Sequence, residues 1–276
     1  MNRKWIAAGL VATLACGVGG TLALARSDSN AMSDRDLFAV DGTKVATKVS
    51  DKLHLDDAQK QQVAAIVNDE RAKAQPMIEQ LQKSRDQIQT LTGDGHYEST
   101  KVSPIAESAA ATAVSLYVQA QRTRSRVDSV LTPAQRIDAA KMWDDTLAEG
   151  RYRIEHSEPV PPMVYRIAAR KLSLTPEQLS AIKQIVSTEQ PKANAMLKDL
   201  LARRDSIVNA PGGFDEATVR AKAEEATPVV AKLIEEGAQT RARIFTVLTP
   251  DQRSKAVAFR DEMRQRARKH FDTLFG

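Results

Sequence analysis

One helix-start signal occurs three times along the chain, and this repetition restricts the fold more than any other feature of the sequence. The pattern Leu-Thr-Pro-x-Gln begins at Leu131, Leu174 and Leu248, and a weaker fourth version begins at Leu55. Threonine before a helix accepts a hydrogen bond from the first turn, proline suits the first helical position, and glutamine at the third position can bond back to the cap. Each occurrence therefore predicts the N-terminus of a helix.

Four helix starts in two pairs indicate a tandem duplication. A shift of 119 residues, the distance from Gln59 to Gln178, aligns the first long segment of the two copies, and a shift of 117, the distance from Leu131 to Leu248, aligns the second. The aligned positions include Lys73 with Lys192, Met77 with Met196, Leu81 with Leu200, Arg85 with Arg204, Arg124 with Arg241 and Arg126 with Arg243. Solenoid repeats are only about 20–50 residues long, so each copy is expected to be the size of a domain.

The pattern of apolar residues predicts helices throughout. They recur at intervals of three and four positions after Asp56 and again after Thr175, which is the spacing of one face of a helix. Aromatic residues make up only 4% of the chain, as is typical of long helices with narrow apolar seams. No segment alternates with the period of two that a strand shows. We therefore predict an all-α fold of two tandem domains with bent helices.

The predicted domains cover residues 44–147 and 163–276. Between them, residues 148–162 contain Gly150 and three prolines, so we expect a linker that is not helical. Each domain should contain two long helices and a third that follows its second motif. The second helix is expected over residues 98–130 and 215–247, and the third from Pro133 to about Leu147 and from Pro250 to about Leu274. Bends or restarts are expected at Pro76, Pro104, Pro191 and Pro228.

The N-terminus is predicted to direct export. Two basic residues precede an uncharged segment from Trp5 to Ala25 that ends in Ala-Leu-Ala, which is the order of regions in a signal peptide. The segment also approaches the ~20 residues that a membrane-spanning helix needs. We therefore predict residues 1–25 to be a signal peptide or an uncleaved membrane anchor, followed by a flexible segment over residues 26–43. Because Cys16 is the sole cysteine, the mature chain would have no disulfide and no cysteine zinc site.

The sequence contains no arrangement typical of an enzyme or a cofactor site. Its four histidines, His54, His96, His156 and His270, are far apart, and none recurs between the copies, whereas zinc and copper sites need several converging ligands. It has no glycine-rich phosphate loop, no Gly-x-Ser-x-Gly and no His-Glu-x-x-His. The formal net charge of +5 is not concentrated as in a nucleic-acid-binding protein. We predict no enzymatic activity, no metal, no cofactor and no nucleic-acid partner.

The helix-start motifs carry a resemblance to a known family. The residues concerned are Leu131, Thr132 and Gln135; Leu174, Thr175 and Gln178; and Leu248, Thr249 and Gln252. With them, the chain resembles the Spy/CpxP family of periplasmic proteins, which carry two LTxxQ motifs per domain. The first motif of copy one departs from the pattern because Asp56 replaces threonine, but aspartate caps helices equally well.

The resemblance implies a periplasmic location and bent helices that dimerise into a cradle. It also implies either ATP-independent chaperone activity or inhibition of envelope stress sensors. Because this chain contains two copies, we expect them to pair within one chain and form the cradle intramolecularly. A short linker can raise the effective concentration of two tethered modules to about millimolar.

Basic residues along the helices, most of them repeated between the copies, are the candidate client-binding residues. They are Lys73, Arg85, Arg122, Arg124, Arg126, Lys192, Arg204, Arg241 and Arg243. The sequence leaves two explanations open. These charges are either solvated faces that form i,i+4 pairs, or they attract acidic segments of unfolded chains towards adjacent apolar side chains.

Three hypotheses for the function follow. In the first, the protein is a chaperone whose partners are unfolded or misfolded envelope proteins. In the second, it is a regulatory module that docks on the periplasmic domain of a sensor kinase. In the third, it is a structural spacer tethered to the inner membrane through its N-terminus. Broad suppression of aggregation would favour the first, and a single saturable partner would favour the second.

Overall fold

The computed structural model describes residues 50–156, 160–209 and 213–275. The predicted signal peptide or anchor over residues 1–25 and the segment 26–43 lie outside these ranges. The described residues contain helices and no strand, so the prediction of an all-α fold is confirmed. Among these residues, no helix combines the length and the apolar character needed to cross a bilayer.

Each copy contributes its helices in the same order. In copy one they are α1 (Asp57–Leu91), α2 (Ser99–Val130) and α3 (Pro133–Glu155), preceded by a helical turn at residues 50–53. In copy two they are α4 (Pro162–Leu172), α5 (Pro176–Val208), α6 (Glu216–Glu224), α7 (Thr227–Val247) and α8 (Pro250–Phe275). The α6 and α7 helices together correspond to α2, and α8 corresponds to α3.

Helix α3 is longer than the sequence predicted. It was expected to end near Leu147, and instead it runs through Gly150 to Glu155, so the first half of the predicted linker is helical. One glycine in a helix costs only about 1 kcal/mol, and the added turns compensate for it. They bury Ile154 in the main core, and Arg151 forms a bidentate ion pair at 2.6 and 2.7 Å with Asp205 of α5.

The four internal prolines act in two ways. In copy two, the second helix breaks between Glu224 and Thr227 and restarts with Pro228 in its first turn, as predicted. The other three lie inside helices that continue past them, namely Pro76 in α1, Pro104 in α2 and Pro191 in α5. Proline suits a first turn because the N–H that it lacks would have no partner inside the helix.

The two copies pair through one shared core. Helix α2 packs against α1 of its own copy and against α6 and α7 of the other. Buried residues from both copies meet in this core, among them Val102, Ala106 and Ala110 from copy one and Val230, Leu233 and Ala238 from copy two. Because many of these side chains are alanines, the helix axes can approach closely. The expected pairing of the copies within one chain is therefore present in the structure.

A tight loop of copy one fits against the second helix of copy two. Gly95 has a φ of +91°, and a Cβ atom added there would lie 3.0 Å from the backbone nitrogen of Thr246 and 3.2 Å from the carbonyl carbon of Phe245. The side chain of Arg253 donates a 2.5 Å hydrogen bond to the carbonyl oxygen of Asp94 in the same loop. The loop thus holds the end of α7 next to the last motif.

The two loop glycines make a matched pair for testing this contact. Gly213 has a similar φ of +83°, but an added Cβ would meet nothing within 4 Å. Both Gly→Ala substitutions force alanine into a backbone conformation that it disfavours, and only Gly95→Ala also pushes against backbone. We expect Gly95→Ala to lower the free energy of unfolding by about 1–3 kcal/mol more than Gly213→Ala, measured by urea denaturation. Equal losses would show that the loop is not tightly packed on α7.

Candidate functional site

The glutamines of the helix-start motifs form two reciprocal pairs, one in each copy. In copy one, Nε2 of Gln59 donates to Oε1 of Gln135 at 2.9 Å, and Nε2 of Gln135 donates to Oε1 of Gln59 at 3.1 Å. In copy two, Gln178 and Gln252 make the same two bonds at 2.8 and 2.9 Å. Each pair joins the first motif of a copy to its second motif, although the two are more than 70 residues apart in sequence.

The same glutamine side chains also donate hydrogen bonds to backbone carbonyls at the ends of neighbouring helices. Nε2 of Gln59 donates to the carbonyl of Val130 at 3.0 Å, and Nε2 of Gln178 donates to the carbonyl of Val247 at 2.9 Å. These are the last residues of α2 and α7. Nε2 of Gln252 donates to the carbonyl of Ser173 at 3.1 Å. Ser173 and its counterpart His54 are the described non-glycine residues with positive φ, at 52° and 51°.

The remaining motif positions cap the helices and contribute to small apolar clusters at the helix ends. Thr132 and Thr175 accept hydrogen bonds from the backbone of Gln135 and Gln178, whose side chains bond back to the cap. Thr249 makes the same exchange with Gln252, and Asp56 makes it with Gln59. The motif leucines Leu131 and Leu248 are buried, and Leu174 packs against the same cluster as Leu248. The motif is thus a cap whose glutamine extends to a second helix start.

An arginine after the motif adds a contact that the sequence did not suggest. Nε of Arg136 donates to the carbonyl of Leu131 at 3.1 Å, and Nε of Arg253 donates to the carbonyl of Leu248 at the same distance. The two arginines are matched by the 117-residue shift. Each bonds a carbonyl in the turn between two helices, one residue after the carbonyl that a motif glutamine bonds.

A second repeated feature is a buried carboxylate surrounded by cations. The side chain of Glu70 is 2% exposed and that of Glu189 is 5% exposed. Glu70 pairs with Lys73 at 3.2 Å and with Arg126, and it accepts a hydrogen bond from Gln119. A buried carboxylate is costly unless charged partners and hydrogen bonds compensate for its lost hydration.

In copy two the equivalent cluster has the same two cations. Glu189 pairs with Lys192 at 3.0 Å and with Arg243. Four of the nine candidate client-binding residues therefore converge on two buried acids. The cations remain about half exposed. Their positions are set by folding, and part of each side chain still faces solvent.

The other five candidates lie elsewhere. Arg122 pairs with Glu216 at the start of α6 and so links the copies, with Nε at 2.8 Å. Arg124 lies 3.8 Å from Asp128 one turn away. The next two are mostly covered, with side chains 18% and 13% exposed, and each contacts the aspartate that follows it, Arg85 with Asp86 and Arg204 with Asp205. For Arg241 the prediction is wrong: it is 7% exposed, and its guanidinium lies over the ring of Phe245 at 4.3 Å, so it is not available to a client.

The two buried acids were not predicted from the sequence, because only repeated lysines and arginines were taken as candidate residues. The 119-residue shift that aligns Lys73 with Lys192 also aligns Glu70 with Glu189. Each acid precedes a repeated lysine by three residues. This repeated spacing would have identified the acids, since residues three apart meet on a helix surface.

The described histidines lie in separate environments. His96 is 3.1 Å from Asp94, and His156 stacks on Tyr152 with a ring-centroid distance of 4.0 Å. His54 ends the helical turn before the first motif, and the side chain of His270 is not described. Within residues 50–156, 160–209 and 213–275, no three His, Cys, Asp or Glu side chains converge as a metal site would require.

Comparison with known proteins identifies both copies. A family model described as "LTXXQ motif family protein" matches residues 42–142 and 166–260, which include all four motifs and both buried acids. No curated protein and no solved structure matches the chain significantly.

The reciprocal glutamine pair predicts a stability difference between two glutamines of α5. Gln178→Met removes the hydrogen bonds to the carbonyl of Val247 and to Gln252 and leaves partly buried polar groups with fewer partners, which costs about 1–3 kcal/mol. Gln184 is exposed on the same helix, and Gln184→Met should have little effect. Urea unfolding of both variants, followed by circular dichroism, measures the difference. Equal stability of the two variants would mean that the pair does not hold the fold.

Paired carboxylates predict how stability depends on pH. Hydrogen bonds from Lys73 and Arg126 lower the pKa of Asp69 from 3.8 to about 2, and arginine partners lower the pKa of Asp205 and Glu216. Groups with a lowered folded pKa stabilise the protein above their unfolded pKa, and this stabilisation is lost as the pH falls through the folded value. The Tm should therefore drop as the pH falls from about 4 towards 2, and Asp69→Asn should reduce the drop. A Tm that is constant over this range would contradict the ion pairs.

Proposed function

Because the chain belongs to the LTXXQ motif family, we propose that it is an ATP-independent chaperone of the periplasm that binds unfolded or misfolded envelope proteins on its helical surface. The order of charged, apolar and small residues before residue 26 supports export. The resemblance to the Spy/CpxP family supports holding of clients without a nucleotide. The proposal includes no enzymatic step, because the cap motifs and the buried ion pairs are accounted for by folding.

One repeated arrangement carries the proposal. In each copy the lysine and the arginine at the buried acid, here called the cation pair, are about half exposed. The lysine lies one helical turn before a partly buried methionine, Lys73 before Met77 and Lys192 before Met196. Residues four apart lie on the same face of a helix. Met77 packs on the cluster around Ile78, and Met196 packs on the shared core.

This combination suits an unfolded client. Cations attract acidic segments from a distance, and methionine adapts to apolar side chains of different shapes. A long client can contact the methionine of each copy at once, which raises the overall affinity without a new kind of contact. An enzyme or a receptor for one ligand would instead need a single shaped pocket.

The direct test is suppression of aggregation. Protein beginning at residue 26 should delay the aggregation of at least two unrelated denatured proteins, measured by light scattering without any nucleotide. Protection of neither client would overturn the proposal. Binding to one sensor-kinase domain with no protection of other proteins would favour the regulatory alternative instead.

Charge substitutions test the role of the cation pairs without unpairing the buried acids. In the double variant Lys73→Gln/Lys192→Gln, Arg126 and Arg243 still pair with Glu70 and Glu189. This variant should capture an acidic unfolded client more slowly at low salt. The difference should disappear near 1 M salt, where charges are screened beyond about 3 Å. Stopped-flow fluorescence of a labelled client measures the association rate.

The matched control removes the same number of charges elsewhere on the same two helices. Lys83 and Lys198 are exposed on α1 and α5, and Lys83→Gln/Lys198→Gln should slow capture less. If both double variants slowed capture equally, net charge alone would explain the effect. If neither changed the rate at any salt concentration, the cation pairs would have only a structural role.

A further inference from the structure

The two buried-acid clusters differ at the position of Asp69, and this difference removes a carboxylate from copy two. In copy one, Asp69 lies beside Glu70 and accepts a hydrogen bond from Nζ of Lys73 at 2.8 Å and another from the guanidinium of Arg126. Each of these cations therefore contacts two carboxylates, one buried and one 45% exposed. The charges of the two cations and two acids cancel.

In copy two the exposed carboxylate is missing. The residue matched to Asp69 is Thr188, whose hydroxyl donates to the carbonyl of Gln184 on its own helix at 3.0 Å. Lys192 and Arg243 share the single carboxylate of Glu189. Within the described parts of the chain, no second acid lies within 4 Å of either cation. The side chains of Lys192 and Arg243 are 53% and 47% exposed.

A further acid in copy two pairs with a different lysine. Glu236 stands at the position matched to Gln119, which in copy one donates to Glu70. Nζ of Lys232 lies 3.0 Å from the carboxylate of Glu236 and 3.9 Å from that of Glu235. Among the described residues, the two cations of the cluster around Glu189 therefore have one carboxylate within 4 Å, whereas those of the cluster around Glu70 have two.

We propose that Lys192 and Arg243 form a binding site for a carboxylate of an acidic polypeptide segment, in the position that the Asp69 carboxylate occupies in copy one. The chain itself shows that this pair of cations can hold a second carboxylate, since matched residues hold Asp69. Charge-assisted hydrogen bonds from lysine and arginine to a carboxylate are about twice as strong as neutral ones.

The ligand is a polypeptide segment rather than a small free acid. An ion pair between exposed side chains contributes only about 0–1 kcal/mol, so a lone carboxylate would bind weakly. Met196 lies one turn beyond Lys192 on the same face of α5, and an apolar residue next to the acid would contact it. This inference rests on the proposed function and specifies it: the client segment combines acidic and apolar residues, and copy two binds it.

Exchanging the two residues tests the site in both directions. In Thr188→Asp the new carboxylate should pair with Lys192 and Arg243. It should thereby weaken binding of a short labelled peptide rich in Glu and Leu by about three- to tenfold. Asp69→Thr should open the matched site in copy one and raise the stoichiometry from one peptide per chain to two. The double variant Asp69→Thr/Thr188→Asp should bind one peptide, as the unaltered protein does. Fluorescence anisotropy at low salt measures affinity and stoichiometry.

Four controls separate the site from other effects. Ser180 is exposed on α5, and Ser180→Asp changes the net charge as Thr188→Asp does, so it should leave the affinity nearly unchanged. A peptide with Gln in place of Glu should bind equally to all variants. Acetate should compete only at a concentration far above that of the peptide carboxylates. Circular dichroism should show the same helix content in every variant, since both exchanged positions are exposed.

The proposal is overturned if Thr188→Asp binds the peptide as tightly as the unaltered protein, or if Ser180→Asp weakens binding as much. Competition by acetate at a concentration equal to the peptide carboxylates would overturn the assignment to a polypeptide. Failure of the site is distinguishable from failure of the chaperone function. Suppression of the aggregation of a client without acidic clusters should be the same for Thr188→Asp and the unaltered protein.

Discussion

A helix leaves the N–H groups of its first turn and the carbonyl groups of its last turn without partners inside the helix, and this chain has such ends wherever two helices meet at a motif. One glutamine in each motif serves both kinds of end, because its amide both donates and accepts. Gln178 bonds the cap of its own helix, the last carbonyl of α7 and the glutamine of the other motif. The packing of the helix ends in each copy depends on this pairing, since it holds the start of one long helix against the end of the next.

The buried acids add a second constraint, which acts on charged side chains of two helices. Glu70 and Glu189 hold lysine and arginine side chains from two helices at the surface. A cation held in this way has already lost part of its conformational freedom, so less entropy is lost when it meets a ligand. After the duplication the two clusters diverged, and position 69 is aspartate in one copy while the matched position 188 is threonine in the other. In the first copy each cation of the cluster contacts two carboxylates, and in the second copy each contacts one.

Local signals in the sequence predicted the helix starts, the duplication and the all-α fold, because capping and apolar spacing act over a few residues. They did not predict that motif glutamines would pair, since Gln59 and Gln135 are 76 residues apart. The extension of α3 to Glu155 depends on partners in the other copy, Asp205 among them. Arg241 has the residue type of a surface cation, and only tertiary packing on Phe245 places it inside. Long-range contacts of this kind leave little trace in one sequence unless a repeat exposes them.

A double-mutant cycle between Gln178 and Gln252 tests the central claim most directly. Each glutamine is changed to methionine alone and together, and the free energy of unfolding is measured in urea for all four proteins. If the two amides hold each other, the coupling energy should be about 0.5–3 kcal/mol, the range for residues in one hydrogen-bond network. Losses that add without coupling would show that each glutamine only caps its own helix, and the account of the motif as a link between helices would then be wrong.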